Sequence, residues 1–103
     1  MPDQMSFVYA DEADMLNVVL FGMTAKEWRA NNRNKKGNIR DHASIKQLLV
    51  LANMESYNSI LIGQGLTQKE RMIKLRELSV QQLNTLNEID VSSLPRLEDT
   101  ADK

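Results

Sequence analysis

The sequence predicts an all-α domain of four helices, a small orthogonal or bundle-like fold with a central apolar helix. Gly and Pro are scarce, at four and two of 103 residues. No segment alternates apolar and polar residues as a half-buried strand would. Helix-start signals recur along the chain instead. We expect an N-terminal extension at 1–8, the helical domain at 9–89 and a disordered acidic tail at 90–103.

The first predicted helix ends near Phe21, and a second, shorter helix follows closely. Acidic side chains at the start of a helix face the positive end of its dipole. Three such residues open the first helix: Asp11, Glu12 and Asp14. Gly22 can end it in a left-handed backbone conformation. Thr24 and Glu27 then match the S/T-x-x-E capping box, which predicts a helix from Thr24 to about Asn31.

The third predicted helix follows a polar loop at 31–38 and extends to about Gln64, with Asp41 or Ser44 as its N-cap. Its apolar side chains point in nearly every direction around the axis. They are Ile45, Leu48, Leu49, Val50, Leu51, Met54, Tyr57, Ile60, Leu61 and Ile62. A helix that is apolar all round must be covered on all sides. The third helix is therefore either the central element of the fold or covered on one face by a partner.

A second capping box, formed by Thr67 and Glu70, predicts a fourth helix that reaches about Glu88. This helix has one apolar stripe, made of Met72, Leu75, Ser79, Leu83 and Leu86. Together, the two long helices present more apolar surface than a chain of 103 residues covers easily. We therefore expect a homodimer, and the candidate contact residues are Tyr57, Leu61 and Met72.

Composition argues against most enzyme classes. The chain has no cysteine and a net charge of −1, so thiol catalysis, disulfides and cysteine metal sites are absent. His42 is the only histidine, and we expect it to be structural or exposed. No catalytic residue, metal or cofactor is predicted. No secretory signal or membrane-length apolar run is recognisable, so we expect a cytoplasmic protein with no membrane contact.

Positive charge concentrates between positions 26 and 40, where six cations face Glu27 alone. They are Lys26, Arg29, Arg33, Lys35, Lys36 and Arg40. One interpretation is phosphate contact; the other is a solvated loop that offsets acidic parts of the chain. Aromatic interleaving is missing, which disfavours base stacking. Trp28 is the only aromatic residue here, and we expect it to anchor the short second helix in the core.

Three stretches resemble one family of proteins. They are YADEADMLNVVLFGMTAKEWRANNRNKKGNIRD at 9–41, QLLVLANMESYNSILIGQGLTQKERMIKL at 47–75, and Gln81-Gln82 before Leu83. This order is similar to the C-terminal region of KilA-N domain proteins from bacteria and their phages. The most specific parts are LFGMTAKEWR, GNIRD and VLANMES. The resemblance covers roughly residues 8–87, about three quarters of the chain.

The resemblance implies an accessory role rather than a chemistry. In KilA-N proteins the N-terminal KilA-N domain is the presumed DNA reader, and no counterpart of it lies in this sequence. We therefore expect nucleic acid to be reached through a missing N-terminal domain, and no DNA-reading role passes to any residue here. The expected function is a non-enzymatic assembly or protein-interaction module of a phage or prophage regulatory protein. Direct phosphate contact by the 26–40 segment is the alternative.

Overall fold

A computed structural model describes residues 8–87. Within that range the chain forms four α-helices and one short 3₁₀ helix, and no strand. The α-helices are α1 (Glu12–Phe21), α2 (Ala25–Asn31), α3 (Ile45–Gly63) and α4 (Gln68–Asn87), and the 3₁₀ helix is Ile39–His42. The predicted all-α class is confirmed. The predicted tail at 90–103, and all but one residue of the predicted extension at 1–8, lie outside the described residues.

Both capping boxes that the sequence predicts are present. The Thr24 hydroxyl accepts from the Glu27 N–H at 3.1 Å, and the Glu27 carboxylate accepts from the Thr24 N–H at 2.9 Å. Thr67 and Glu70 make the same two bonds: the Thr67 hydroxyl accepts at 3.2 Å and the Glu70 carboxylate at 2.8 Å. Each pair satisfies two backbone donors that have no partner inside the helix. The starts of α2 and α4 are therefore fixed by local chemistry.

The structure contains two further capping boxes. One lies at the end of the predicted polar loop, and the other begins α3, for which the sequence left two candidate N-caps. Ser44, one of the two candidates, caps α3 through reciprocal bonds with Gln47. The other candidate, Asp41, belongs to the 3₁₀ helix, where its carboxylate accepts from the Asn38 N–H at 2.8 Å. The Asn38 side chain in turn accepts from two N–H groups of that helix, including the Asp41 N–H. The polar loop is thus more ordered at its end than the sequence predicts.

A tight turn leads into the 3₁₀ helix at Gly37. Its φ of +84° lies in the left-handed region, which suits glycine. A Cβ atom at this position would lie 2.5 Å from the Asp41 carboxylate oxygen Oδ2. Backbone geometry and local space therefore both require glycine here.

The core lies between α1, α3 and α4. The α3–α4 pair has the most extensive contact, and α1 packs against both of these helices. Nine apolar side chains form the core cluster: Met15, Leu16, Val19, Val50, Leu51, Met54, Leu61, Met72 and Leu75. The short helix α2 contributes no buried residue. The α4 stripe is confirmed, with Met72, Leu75 and Ser79 buried and Leu83 and Leu86 half-buried.

The prediction that Leu61 and Met72 contact a second copy is wrong. Their side chains are 1% and 0% exposed, because both point into the core between α3 and α4. Tyr57, the third predicted contact residue, is half-buried and packs against the edge of that core. Of the three predicted contact residues, only Tyr57 is therefore accessible to a partner.

A polar cluster joins the start of α1 to α3 and α4. The Arg71 guanidinium is mostly buried and donates to both carboxylate oxygens of Glu12 at 2.9 Å. The Asn58 amide donates to Glu12 at 2.8 Å, and its oxygen accepts from Arg71 at 2.9 Å. Gln68 donates to Glu12 at 2.9 Å and exchanges hydrogen bonds with the Tyr9 backbone. The cluster therefore joins residues that lie up to 59 positions apart in the sequence.

The Glu12 carboxylate is stabilised in its charged form by this cluster. Partial burial raises its pKa, but hydrogen bonds from Asn58, Gln68 and Arg71, together with the Arg71 charge, outweigh that effect. The net result is a pKa below the ordinary value. The sequence assigns Glu12 only to the helix dipole, so this long-range role is an addition.

Candidate interaction surfaces

An open groove runs between α3 and α4 on the surface of the domain. It consists of two adjoining hollows of about 470 and 410 Å³. Four residues line both hollows and make the groove continuous: Asn53, Leu78, Gln81 and Gln82. Tyr57 lines one end, and Leu49 and Leu86 line the other. The groove therefore presents a mixed lining of amides and apolar side chains.

The polar groups of this groove are arranged across both helices. The Asn53 amide donates to the Gln82 side chain at 2.9 Å and so bridges α3 and α4. The bridge lies at an exposed edge of the α3–α4 pair. Lys74 and Glu77, which carry opposite charges, also line the groove. The formal charges of the groove lining therefore sum to zero.

Large apolar side chains on α3 remain exposed beside the groove. Ile45, Leu49 and Ile60 are 65%, 42% and 57% exposed. At 3.6 residues per turn these three positions fall within about 60° of one another around the helix axis. Leu48 and Ile62, at 41% and 49% exposure, lie outside this sector and line neither hollow. Leu49 and Ile60 also line the groove itself. One face of α3 is thus left uncovered within the described chain. This agrees with the interpretation that a partner covers one face of the third helix.

A second set of exposed apolar residues lies away from the groove lining. On α4 they are Ile73 and Val80, at 47% and 46% exposure. These two positions are seven residues apart, which places them on one side of the helix. They provide exposed apolar controls that do not line either hollow.

The six cations of the basic segment fall into two groups. Arg29 donates to the Lys35 carbonyl at 2.8 Å, and Arg40 lies 3.7 Å from the Glu55 carboxylate. The other four are exposed, and within residues 8–87 their side chains have no hydrogen bond or ion pair. They are Lys26, Arg33, Lys35 and Lys36.

The acidic side chains of this segment do not neutralise those cations. Glu27 and Asp41 direct their carboxylates at the backbone N–H groups of Thr24 and Asn38, at 2.9 and 2.8 Å. The two acids act as helix caps, and among the described residues neither forms an ion pair. Both carboxylates keep their negative charge, but they point at the backbone and not at the four exposed cations.

Trp28 lies outside the core cluster, so the prediction that it anchors α2 in the core is wrong. It is half-buried and stacks on His42, with ring centroids 5.0 Å apart and planes inclined by 30°. The Arg29 guanidinium carbon lies 5.5 Å from the centre of its ring. His42 is exposed, and its Nε2 lies 2.6 Å from the Lys36 carbonyl. Trp28 therefore anchors α2 to the 3₁₀ helix.

Within residues 8–87, no three or more His, Cys, Asp or Glu side chains converge as metal ligands would. In the same range, no helix combines the length and the apolar character that crossing a bilayer requires.

The fold and its two surfaces define a small all-α domain with a groove of no net charge on one side and a basic loop elsewhere. Comparison of the chain with protein-family models, with curated proteins and with solved structures found no match. The resemblance to the C-terminal region of KilA-N proteins therefore rests on the quoted motifs and stays a prediction.

Proposed function

We propose that this chain is a non-enzymatic assembly module that forms a homodimer through the α3–α4 groove. The observation that carries the proposal is the exposed apolar face of α3, with Ile60 at 57% and Leu49 at 42% exposure beside a continuous groove. Contiguous exposed apolar surface in a small protein is typical of an interaction site. Covering such a face removes apolar area from water, which favours association.

A second copy of the chain suits this groove. A two-fold symmetric contact places the same patch on both sides, so the patch must complement itself. Lys74 and Glu77 provide opposite charges one turn apart on α4, and the groove has no excess charge to repel an identical surface. Exposed amides such as Gln81 add hydrogen-bonding groups that tolerate several registers.

In its biological setting, the module would belong to a cytoplasmic phage or prophage protein of the KilA-N type. The support for this setting is the order of the motifs LFGMTAKEWR, GNIRD and VLANMES. In that setting, dimerisation would bring two DNA-reading domains together. Paired domains gain affinity because the second binding event becomes intramolecular.

Multi-angle light scattering of the full chain tests the dimer. We expect a mass of twice 11.8 kDa at micromolar concentration. Ile60→Asp should give the monomer, because a charge replaces an apolar contact in the groove. Ile73→Asp, on α4 but outside the groove lining, should remain dimeric. A monomer mass for the parent chain over about a hundredfold dilution, or equal effects of the two variants, would contradict the proposal.

A further inference from the structure

We propose that the basic segment, which covers most of α2 and the loop that leads to α3, binds the phosphate backbone of duplex nucleic acid. The segment is defined here as residues 26–40, and its four unpaired cations are Lys26, Arg33, Lys35 and Lys36. This surface shares no residue with the lining of the α3–α4 groove. The inference goes beyond self-association, and either one can fail without the other.

The first argument is that the charge of this segment is free to act on a ligand. The carboxylates of Glu27 and Asp41 are held by backbone N–H groups at 2.9 and 2.8 Å. The four unpaired cations are all exposed. Lysine and arginine side chains without a counter-charge are the groups that neutralise phosphates and release bound counterions. A loop whose cations paired with its own acids would lack this capacity.

The second argument is that the loop is held in one shape. Arg29 donates to the Lys35 carbonyl at 2.8 Å, and the His42 ring contacts the Lys36 carbonyl at 2.6 Å. The stack of Trp28 on His42 ties α2 to the 3₁₀ helix. The backbone that carries Lys35 and Lys36 is therefore fixed from both sides. Prior ordering lowers the entropic cost of binding.

Composition favours nucleic acid over an anionic membrane. Protein surfaces that bind lipid combine cations with apolar side chains that enter the headgroup region. Within positions 26–40 the described chain exposes no large apolar side chain: Ile39 is only 5% exposed, and Trp28 is half-buried. A polar, cationic loop of this kind matches the charge of a phosphate backbone and has nothing to insert into a bilayer.

The geometry favours a duplex over a single strand. Single-strand binding relies on aromatic faces on which bases stack. Here the Trp28 ring is stacked on His42, and the Arg29 guanidinium carbon lies 5.5 Å from the centre of the Trp28 ring. Trp28 is therefore already occupied by contacts within the chain. The remaining attraction is to phosphates, and duplex DNA carries about one charge per 1.7 Å of helix axis. Recognition should therefore be independent of sequence and strongly dependent on salt.

The test is titration of the full chain with a short mixed-sequence DNA duplex at several salt concentrations. Trp28 is the only tryptophan, so its emission reports binding at this site. Lys35→Ala/Lys36→Ala should flatten the slope of log affinity against log salt by about 1.8, since each lost contact contributes about 0.9. At 50 mM salt that change corresponds to roughly 10²-fold weaker binding.

Two matched variants decide whether the effect is local. Lys69→Glu lowers the net charge by the same two units on exposed α4 surface and should leave the salt slope unchanged. Lys35→Arg/Lys36→Arg keeps the charge and should bind as the parent does. The proposal is overturned if the parent shows no salt-sensitive duplex binding at micromolar concentration, or if Lys69→Glu weakens binding equally. Tighter binding to vesicles of phosphatidylserine, or binding without a change in Trp28 emission, would also overturn it.

Discussion

The two halves of this domain are stabilised by different kinds of interaction. The half made of α1, α3 and α4 buries nine apolar side chains in one cluster. The segment from Thr24 to Ser44 buries only Ile39, and α2 buries none of its seven residues. Three successive capping boxes and one ring stack hold that segment instead.

This difference shows how a small domain can separate its apolar core from its most highly charged surface. Apolar burial is cooperative because each core side chain contacts several others. Caps and turns are local, so each one fixes a few residues and leaves the rest of the surface free. The locally held segment is therefore suited to carry charged side chains, and the core half carries the exposed groove.

The largest expected effect is in the core. Leu75 is fully buried, and Leu75→Ala should lower the free energy of unfolding by about 2–5 kcal/mol, because the surrounding helices cannot fill the cavity. Val80→Ala on the same helix is the control, since Val80 is 46% exposed. It should change stability by no more than about 0.5 kcal/mol. Urea denaturation measures both; equal losses would show that the core is not where stability resides.

Disrupting the polar cluster should have an intermediate effect on the free energy of unfolding, and this effect should depend on pH. Arg71→Met should lower the free energy of unfolding by about 1.5–3 kcal/mol, as charged hydrogen bonds are lost at a mostly buried site. The folded-state pKa of Glu12 is lowered, so its contribution is present above its ordinary pKa of 4.5 and is lost as pH falls below that value. Arg71→Met should remove part of this acid sensitivity.

Arg76→Met is the matched control for the polar cluster. Arg76 donates to the Val19 carbonyl at 2.9 Å but does not contact Glu12. Denaturation at acidic and neutral pH should therefore show the parent's acid sensitivity in this variant. An acid sensitivity that Arg71→Met leaves intact would exclude the cluster as its source.

The smallest effects, and the sharpest comparison between the halves, come from the caps. Thr24→Ala and Thr67→Ala remove the same side-chain acceptor, and each should cost about 0.5–2 kcal/mol locally. Amide hydrogen exchange should report the Thr24 change only within α2, which lies outside the core. Thr67→Ala should instead lower the free energy of global unfolding and so speed exchange throughout the core, because α4 carries Met72 and Leu75. Identical exchange patterns would contradict the division into halves.

Local chemistry explains how much of the fold could be predicted from the sequence. The boxes at Thr24 and Thr67 match the S/T-x-x-E pattern, and they place the starts of α2 and α4 correctly. Asn38 and Asp41 form the same reciprocal bonds with a different residue pair, so the 3₁₀ helix was not predicted. Helix starts were therefore predictable wherever the capping residues were the common ones.

The exposed surfaces could not be predicted to the same degree. The pattern of α3 indicates that one face needs a cover, but which face stays open depends on where α1 and α4 pack. Leu61 and Met72 were misplaced for this reason, since both lie in the core. The contact between Glu12 and Arg71 joins residues 59 positions apart, and no local signal predicts it. The charge of the basic segment and the capping role of Glu27 were visible in the sequence, but the role of Asp41 in capping the 3₁₀ helix was not.

The turn at Gly37 has a consequence for how this sequence can diverge over evolutionary time. Gly22 has the same backbone requirement, with a φ of +82°, but no neighbouring atom would obstruct a side chain. Asparagine, which tolerates that region better than most residues, is a substitution that descendants can fix at position 22. At position 37 even one extra carbon collides with the Asp41 carboxylate. Drift in this loop should therefore be confined to its exposed side chains, while Gly37 is retained.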